Sequence, residues 1–117
     1  MNVVVIVLDS LRTDKVGCYG SAVHTPVIDR LATQGVLLER CYAEFPNTIP
    51  ARTALVSGLY TFTNRPWKEL EPSDPHVAEL FRDAGYHTAA FSDTPFNNGA
   101  HMDRGFMDFV HFPIGKC

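Results

Sequence analysis

A hydroxyl and a guanidinium stand four positions apart in the segment 48–52, which reads Thr-Ile-Pro-Ala-Arg. The flanking pattern predicts a strand over 36–43 and a helix over 50–57, whose first residue would be the proline,. Free N–H groups of a first helical turn and a nearby arginine can together receive an anion. Thr48 is therefore a candidate nucleophile, and Arg52 would face the anion that arrives there. The alternative is a capped helix whose arginine is only solvated.

A carboxylate follows the first apolar run of the chain. Residues 3–8 are six consecutive apolar residues, four of them valine, and they lead directly into Asp9. Such a run predicts a strand over 2–8 that is buried on both faces, as in a parallel sheet. Asp9 would then lie at the carboxyl end of a central strand, where open α/β sheets bind ligands and where a carboxylate suits a divalent metal. The alternative is that Asp9 caps the loop that follows.

Helices and strands alternate along the rest of the chain. Helices are predicted over 26–34 and 75–84, each opening with a proline and closing at a glycine,. A strand is predicted over 86–92, parallel to the strand over 2–8, and three phenylalanines between 106 and 112 suggest a short further strand,. This alternation indicates an α/β fold. The predicted helix caps are Thr25 for the first helix and Ser73 or Asp74 for the second.

Composition sets outer limits on function. The chain has 117 residues, 45% of them hydrophobic and 20% charged, which is ordinary for a globular domain,. A net charge of −3 does not indicate a nucleic acid or an anionic membrane as partner,. No leader pattern and no run of about 18 apolar residues is visible, so a cytoplasmic location without a membrane partner is expected. The three cysteines have irregular spacing, which is not typical of a disulfide framework or a zinc motif,.

Several motifs, taken in order, resemble the sulfatase family of the alkaline phosphatase superfamily. The resemblance covers about the first 110 of the 117 residues. It rests on Val5-Ile-Val-Leu-Asp9, Leu11-Arg12, Gly17-Cys-Tyr-Gly20, Thr25-Pro-Val-Ile-Asp-Arg-Leu-Ala32, Thr48-Ile-Pro-Ala-Arg52, Leu55-Val-Ser-Gly-Leu59 and Gly85-Tyr-His-Thr-Ala89.

This resemblance implies a fold, an activity and a set of site residues. The fold would be a three-layer α/β sandwich with a mainly parallel sheet, and residues 1–117 would be an incomplete N-terminal portion of the catalytic domain. Asp9 would be a metal ligand, Thr48 would be both nucleophile and metal ligand, and Arg52 would orient the nucleophile or its oxyanion. The cofactor would be a divalent ion (Ca, Mn, Mg or Zn), with further ligands outside this chain. The substrate would be a small sulfate or phosphate ester, and the isolated chain is expected to be inactive.

The sequence departs from the family pattern at the nucleophile. Family members usually carry a cysteine or serine there, which is oxidised to formylglycine. Thr48 has a methyl group on its carbinol carbon, so the same oxidation cannot give an aldehyde and formylglycine is not expected. Threonine is the nucleophile in related phosphodiesterases and phosphatases, so the resemblance favours phosphoester chemistry. In addition, residues 91–97 lack the lysine and histidine with which sulfatases bind sulfate, and Ser10 replaces a second acidic residue.

Three further residues are weaker candidates for substrate binding. Asp93 and Asn97 follow the predicted strand over 86–92, which would place them at the same edge of the sheet as Asp9,. His24 precedes a helix and lies in the loop region after Asp9. The competing hypothesis is a non-catalytic fragment or interaction module that keeps only the family scaffold. Under either hypothesis, the sheet edge that the rest of the catalytic domain would cover is expected to be exposed or to self-associate with another copy.

Overall fold

The computed structural model describes residues 1–60, 62, 69–93 and 101–112. The chain divides into two compact units, Met1–Tyr42 and Ala43–Cys117. The described part contains helices and a two-stranded parallel sheet, which confirms the α/β class. No helix in that part is long and apolar enough to cross a membrane.

In the first unit, helix α1 forms where the sequence predicts it. It spans Pro26–Gln34, with proline in its first turn and Gly35 at its C-terminal cap. Two short 3₁₀ turns, Thr13–Lys15 and Gly17–Tyr19, lie in the segment before it. The helix boundaries follow from local signals, because the proline fixes the first turn and the glycine ends it.

Thr25 is the N-cap residue of α1, as predicted, but its side chain makes no cap hydrogen bond. Its Oγ1 instead accepts a hydrogen bond from the Gly17 N–H at 2.8 Å and donates to Asp29 Oδ1 at 2.9 Å. The same Asp29 oxygen accepts the Cys18 N–H at 2.7 Å. Thr25 and Asp29 therefore bind the 3₁₀ turn Gly17–Tyr19 to the start of the helix.

The predicted strand over 2–8 is wrong for this structure. No residue of Met1–Tyr42 lies in a strand, and the apolar side chains are open to solvent, with Val5 71% and Ile6 75% exposed. The strand predicted over 36–43 is also absent, and the side chain of Val36 is exposed. The physical reason is that a strand is stabilised by cross-strand neighbours, whereas a helix makes its hydrogen bonds within itself.

In the second unit, helix α2 begins earlier than predicted. It spans Thr48–Ser57, with Asn47 at its N-cap, so Thr48 is the first helical residue and Pro50 the third. The predicted start at Pro50 is thus wrong by two residues. The end is as predicted, because Gly58 adopts a left-handed φ of 70° and donates its N–H to the Ala54 carbonyl at 2.8 Å,.

Helix α3 spans Val77–Asp83 and begins later than predicted. Neither Ser73 nor Asp74 is its cap: His76 is the N-cap residue, and its side chain accepts a hydrogen bond from the Ala78 N–H. Asp74 instead accepts the Glu71 N–H at 2.7 Å and so closes the preceding turn. Gly85, with a φ of 86°, follows the helix as predicted.

The sheet of this unit contains β1, Ala89–Ser92, and β2, Asp108–His111, in parallel. The register pairs Ala89 with Asp108 and Ser92 with His111. The strand predicted over 86–92 thus forms over its last four residues, and the short strand predicted among the phenylalanines is β2. The predicted sheet that contains 2–8 and 86–92 as parallel strands does not form, because residues 2–8 are not a strand and the described sheet contains β1 and β2.

The small core of this unit lies beneath these elements. Leu70 and Met102 are buried against each other, and Val56 of α2 packs on them. The packing therefore connects α2, which carries Thr48, to the segment that leads into β2.

Candidate functional site

Thr48 lies at the positive end of α2. Asn47 is extended and its side chain makes no cap hydrogen bond, so no side chain of the cap satisfies the first helical turn. The first N–H groups of a helix have no partner within it, and Pro50 has none to offer. The first intrahelical bond is that of the Ala51 N–H to the Asn47 carbonyl, at 3.1 Å. The half-buried Thr48 hydroxyl is thus placed where partial positive charge favours an anion,.

Arg52 follows Thr48 by one helical turn and is also half-buried. Residues four apart share one face of a helix, so the guanidinium and the hydroxyl lie on the same side of α2. Thr53, the next residue, is completely buried, and its Oγ1 has no hydrogen-bond partner in the described part of the chain. The two threonines of this helix therefore have different surroundings, which makes Thr53 a useful comparison for Thr48.

Asp93 directly follows β1, as the sequence predicts, and is exposed. The Phe112 N–H donates to the Ser92 carbonyl at 2.8 Å, so the parallel ladder continues to this end of the sheet. Asp93 thus stands at a carboxyl edge of parallel strands, the kind of edge where open α/β sheets bind ligands. Asn97 lies outside the described residues.

The other two candidates belong to the first unit. Asp9 is exposed and follows an unpaired segment, so its predicted position at the end of a strand is wrong. Ser10 has a left-handed φ of 58° and donates its Oγ to Asp9 Oδ1 at 2.9 Å. His24 is exposed at an open depression of about 480 Å³, which Cys18 and Asp29 also line. Thr48, Arg52 and Asp93 therefore share one unit, whereas Asp9 and His24 share the other.

The metal site predicted at Asp9 and Thr48 can be compared with the ligands that divalent ions require. A carboxylate and a hydroxyl are oxygen donors of the kind that Mg²⁺ and Ca²⁺ accept. These ions take about six or more ligands, however, and two side chains leave most positions open. Within residues 1–60, 62, 69–93 and 101–112, no group of three His, Cys, Asp or Glu side chains is placed to hold a metal. The described residues do not by themselves form a metal site.

One polar cluster of the second unit is not predicted from the sequence. His76 is buried at the start of α3, and Arg104 hydrogen-bonds the backbone carbonyls of Glu71 and Pro72 at 3.2 and 2.6 Å. Neither residue stands in a spacing typical of a ligand or catalytic motif. The only sequence signal is the position of His76 just before an apolar helical stretch, where a polar side chain is a candidate cap.

The comparisons with known proteins identify the family of the chain. The sulfatase family model matches residues 1–116. Human steryl-sulfatase is 30% identical over 97% of this chain and 21% of its own length. An arylsulfatase of Clostridium perfringens is 33% identical over 99% of this chain and 27% of its length. The uncharacterized sulfatase YidJ of Escherichia coli K12 is 34% identical over 74% of this chain and 18% of its length.

The chain belongs to the sulfatase family. It spans roughly a fifth of the length of the curated relatives that it matches, as the shares of 18% for YidJ and 21% for human steryl-sulfatase show. No solved structure matches it.

Proposed function

We propose that this sequence belongs to an enzyme that hydrolyses small sulfuric or phosphoric esters with Thr48 as its nucleophile. The observation that carries the proposal is the position of Thr48 at the first residue of α2, with no side-chain cap, and of Arg52 one turn later on the same face,. A negatively charged ester placed there would meet the N–H groups of the helix start and the guanidinium together. The names of the matched relatives, which are sulfatases, support the same class of reaction.

The roles of the chain's own residues follow from this placement. Thr48 Oγ1 attacks the phosphorus or sulfur in line, so that a new O–P or O–S bond forms while the bond to the leaving oxygen breaks, and the proton of the Thr48 hydroxyl goes to that oxygen to give the alcohol. Arg52 and the first N–H groups of α2 hold the charge on the non-bridging oxygens as it builds. Water then attacks the phosphorus or sulfur of the Thr48 ester, which releases phosphate or sulfate and returns a proton to Thr48 Oγ1.

A divalent ion would add Lewis-acid chemistry, and Asp9 is the carboxylate proposed to hold it. The described residues do not complete a metal site, so the roles given above to Thr48 and Arg52 do not depend on the ion. Calcium, manganese, magnesium and zinc are the ions to compare. Titration calorimetry of the chain with each ion should give at most weak binding, since two oxygen donors cannot fill a coordination shell.

The choice between phosphate and sulfate rests on the side chain of Thr48. Oxidation of a threonine carbinol gives a ketone, so the aldehyde of formylglycine is not available, and the proposal favours phosphoesters. The relatives' names favour sulfate esters instead. Assays of the complete gene product on an aryl sulfate, a phosphate monoester and a phosphodiester separate the two. Strong aryl sulfatase activity with unmodified Thr48 would refute the preference for phosphorus.

Thr48→Ala in the complete gene product tests the nucleophile directly. We expect turnover to fall by about three orders of magnitude or more, because covalent nucleophiles contribute on that scale. The melting temperature should change little, since the side chain is only half-buried,. Thr48→Ser keeps the hydroxyl and should keep much of the turnover.

Thr53→Val is the matched control for this experiment. Thr53 lies in the same helix, and its buried hydroxyl has no described partner, so an isosteric apolar side chain should leave turnover unchanged,. If Thr48→Ala keeps full turnover and only lowers the melting temperature, Thr48 is a structural residue of the helix start and the proposal fails.

A non-catalytic scaffold is the second candidate. It is favoured by the surroundings of Asp9, which is exposed and already accepts a hydrogen bond from Ser10. Tight binding of any of the four ions to this chain would contradict the scaffold hypothesis. Persistence of ester hydrolysis in Asp9→Asn would, in contrast, support a site that does not use Asp9.

A further inference from the structure

His76 is a buried titratable side chain that the proposed chemistry does not use. Only 1% of it is exposed. Its Nδ1 accepts a hydrogen bond from the Ala78 N–H at 3.1 Å, which satisfies one of the free donors at the start of α3,. An acceptor nitrogen carries no proton, so this bond assigns the neutral tautomer with its proton on Nε2. Nε2 itself is buried without a hydrogen-bond partner in the described part of the chain.

The segment 101–107, here called the clamp loop, packs on this end of α3. The ring of Phe106 meets the His76 imidazole edge to face, with ring centroids 5.7 Å apart. Gly105 lies so close to the helix that an added Cβ would stand 2.5 Å from Glu79 N and 2.9 Å from the carbonyl carbon of Ala78. The cap bond of His76 is therefore made beneath a tightly fitted loop.

Arg104 fixes the clamp loop to the turn before α3. Its guanidinium donates to the carbonyls of Glu71, Pro72 and Asp74, and its Nε lies 3.2 Å from Glu79 Oε2. The guanidinium thus joins the preceding turn, the clamp loop and α3 at one point. His76 lies inside this arrangement, so a charge on its ring acts on all three segments.

The charges that face His76 come from both packed elements. Burial is the largest cause that lowers the pKa of His76, and the Arg104 cation of the clamp loop lowers it further,. Glu79 of α3, Asp103 of the clamp loop and the Met102 backbone act in the opposite direction. The effects of burial and Arg104 are larger than the opposing ones, so the pKa of His76 is lowered and its neutral form is favoured in the folded protein.

We propose that His76 is an acid-sensitive latch, whose protonation removes the cap of α3 and releases the clamp loop from the helix. A protonated Nδ1 becomes a donor and cannot accept the Ala78 N–H, so that backbone group loses its partner. The new cation also stands near Arg104 in a buried place, where like charges repel strongly. Because Met107 ends the clamp loop and β2 begins at the next residue, the release also loosens the start of the parallel strand pair.

The direction of the pH effect follows from linkage. The pKa of His76 is lower in the folded chain than its ordinary value of 6.5, so the unfolded chain takes up the proton first as the pH falls,. The stabilisation is fully present above pH 6.5 and declines as the pH falls from there towards the lower folded pKa. In that window one such group reduces the folding equilibrium constant by at most about tenfold per pH unit.

Urea unfolding of the chain between pH 5 and 8 tests the latch in three forms: wild type, His76→Asn and His101→Asn. Asparagine can accept the Ala78 N–H as an N-cap without titrating. The loss of stability that the wild type shows below pH 6.5 should therefore disappear in His76→Asn,. His101 is an exposed residue of the same loop with a left-handed φ of 54°, which asparagine tolerates,. His101→Asn should therefore keep the wild-type decline.

A measurement on the wild type alone guards against a variant that fails to fold. Proton resonances of the His76 ring should titrate at a pH below 6.5, and exchange of the Ala78 amide, corrected for its intrinsic rate, should accelerate over the same range,. The latch is refuted if the ring titrates at the usual histidine pH, or if His76→Asn retains the wild-type decline.

Discussion

Residues 2–8 and β1 are both apolar segments, but only β1 has a partner strand. Residues 3–8 carry six apolar side chains in a row, and these remain at least 49% exposed. β1 has only four residues, yet it pairs in register with β2 over its full length. Apolar character is therefore not what decides strand formation in this chain.

The difference lies in what stands next to each segment along the chain. Thr88, just before β1, donates its hydroxyl to the Gly105 carbonyl at 2.7 Å, and the Met107 N–H donates to the Thr88 carbonyl at 2.8 Å. These bonds hold the clamp loop beside the start of β1 and so fix where β2 begins. Residues 2–8 have no such anchored neighbour in Met1–Tyr42, and a strand without a ladder partner is not stable,.

The largest expected effect comes from breaking the anchor of β2 at Gly105. Gly105→Ala adds a Cβ that would stand 2.5 Å from Glu79 N, at a φ of 82°. We expect a loss of about 3 to 5 kcal/mol in the free energy of unfolding, from the clash and the backbone strain together. Urea unfolding monitored by circular dichroism measures it.

Gly85→Ala is the matched control for the clash. Gly85 lies in the same unit with a φ of 86°, but an added Cβ would meet nothing within 4 Å. It should cost only about 1 to 2 kcal/mol for the left-handed conformation. Equal losses in the two variants would mean that the clamp loop does not sit tightly on α3, and the account of the anchored strand pair would be wrong.

A smaller effect is expected from removing one hydrogen-bonding group of the anchor. Thr88→Val keeps the shape and the strand preference of the side chain but removes the hydroxyl that bonds Gly105 and Met107,. The cost should be about 1 to 3 kcal/mol, because a buried carbonyl is left without its partner. Thr33→Val removes an exposed hydroxyl bond to the Arg30 carbonyl and should cost about 0.5 kcal/mol or less,. If both variants lose the same stability, the Thr88 bonds do not anchor the strands.

The elements that the sequence predicts well are those with short-range determinants. α1 forms over the predicted residues, and α2 and α3 end shortly before Gly58 and Gly85, because a glycine in the left-handed region stops a helix locally,. The starts are less predictable: Pro50 is compatible with the third helical position as well as the first, and at α3 the His76 imidazole accepts the capping N–H. Which polar side chain reaches a free N–H depends on packing, so the sequence alone does not identify the capping residue.

The same distinction between local and long-range determinants applies to the candidate site. Thr48 and Arg52 depend on a helix start and Asp93 on a strand end, which are local features, and in the structure they lie in the first turns of α2 and directly after β1. The role of Asp9 depends on a strand that must pair with distant residues, and its placement at a strand end does not follow. The cluster of His76 and Arg104 has no sequence motif, because its contacts join three separate segments of the chain.

The smallest expected effect tests the unpaired segment itself. Val5→Thr keeps the shape and the strand preference of the side chain but adds a hydroxyl. Val5 is 71% exposed, so the free energy of unfolding should change by about 0.5 kcal/mol or less,. Val16→Thr makes the same chemical change in the same unit at a side chain that is only 4% exposed, and should cost about 1 to 3 kcal/mol,. Both values come from urea unfolding of the two variants under identical conditions. A loss at Val5 as large as that at Val16 would mean that residues 2–8 are buried in solution, and the contrast with β1 would then disappear.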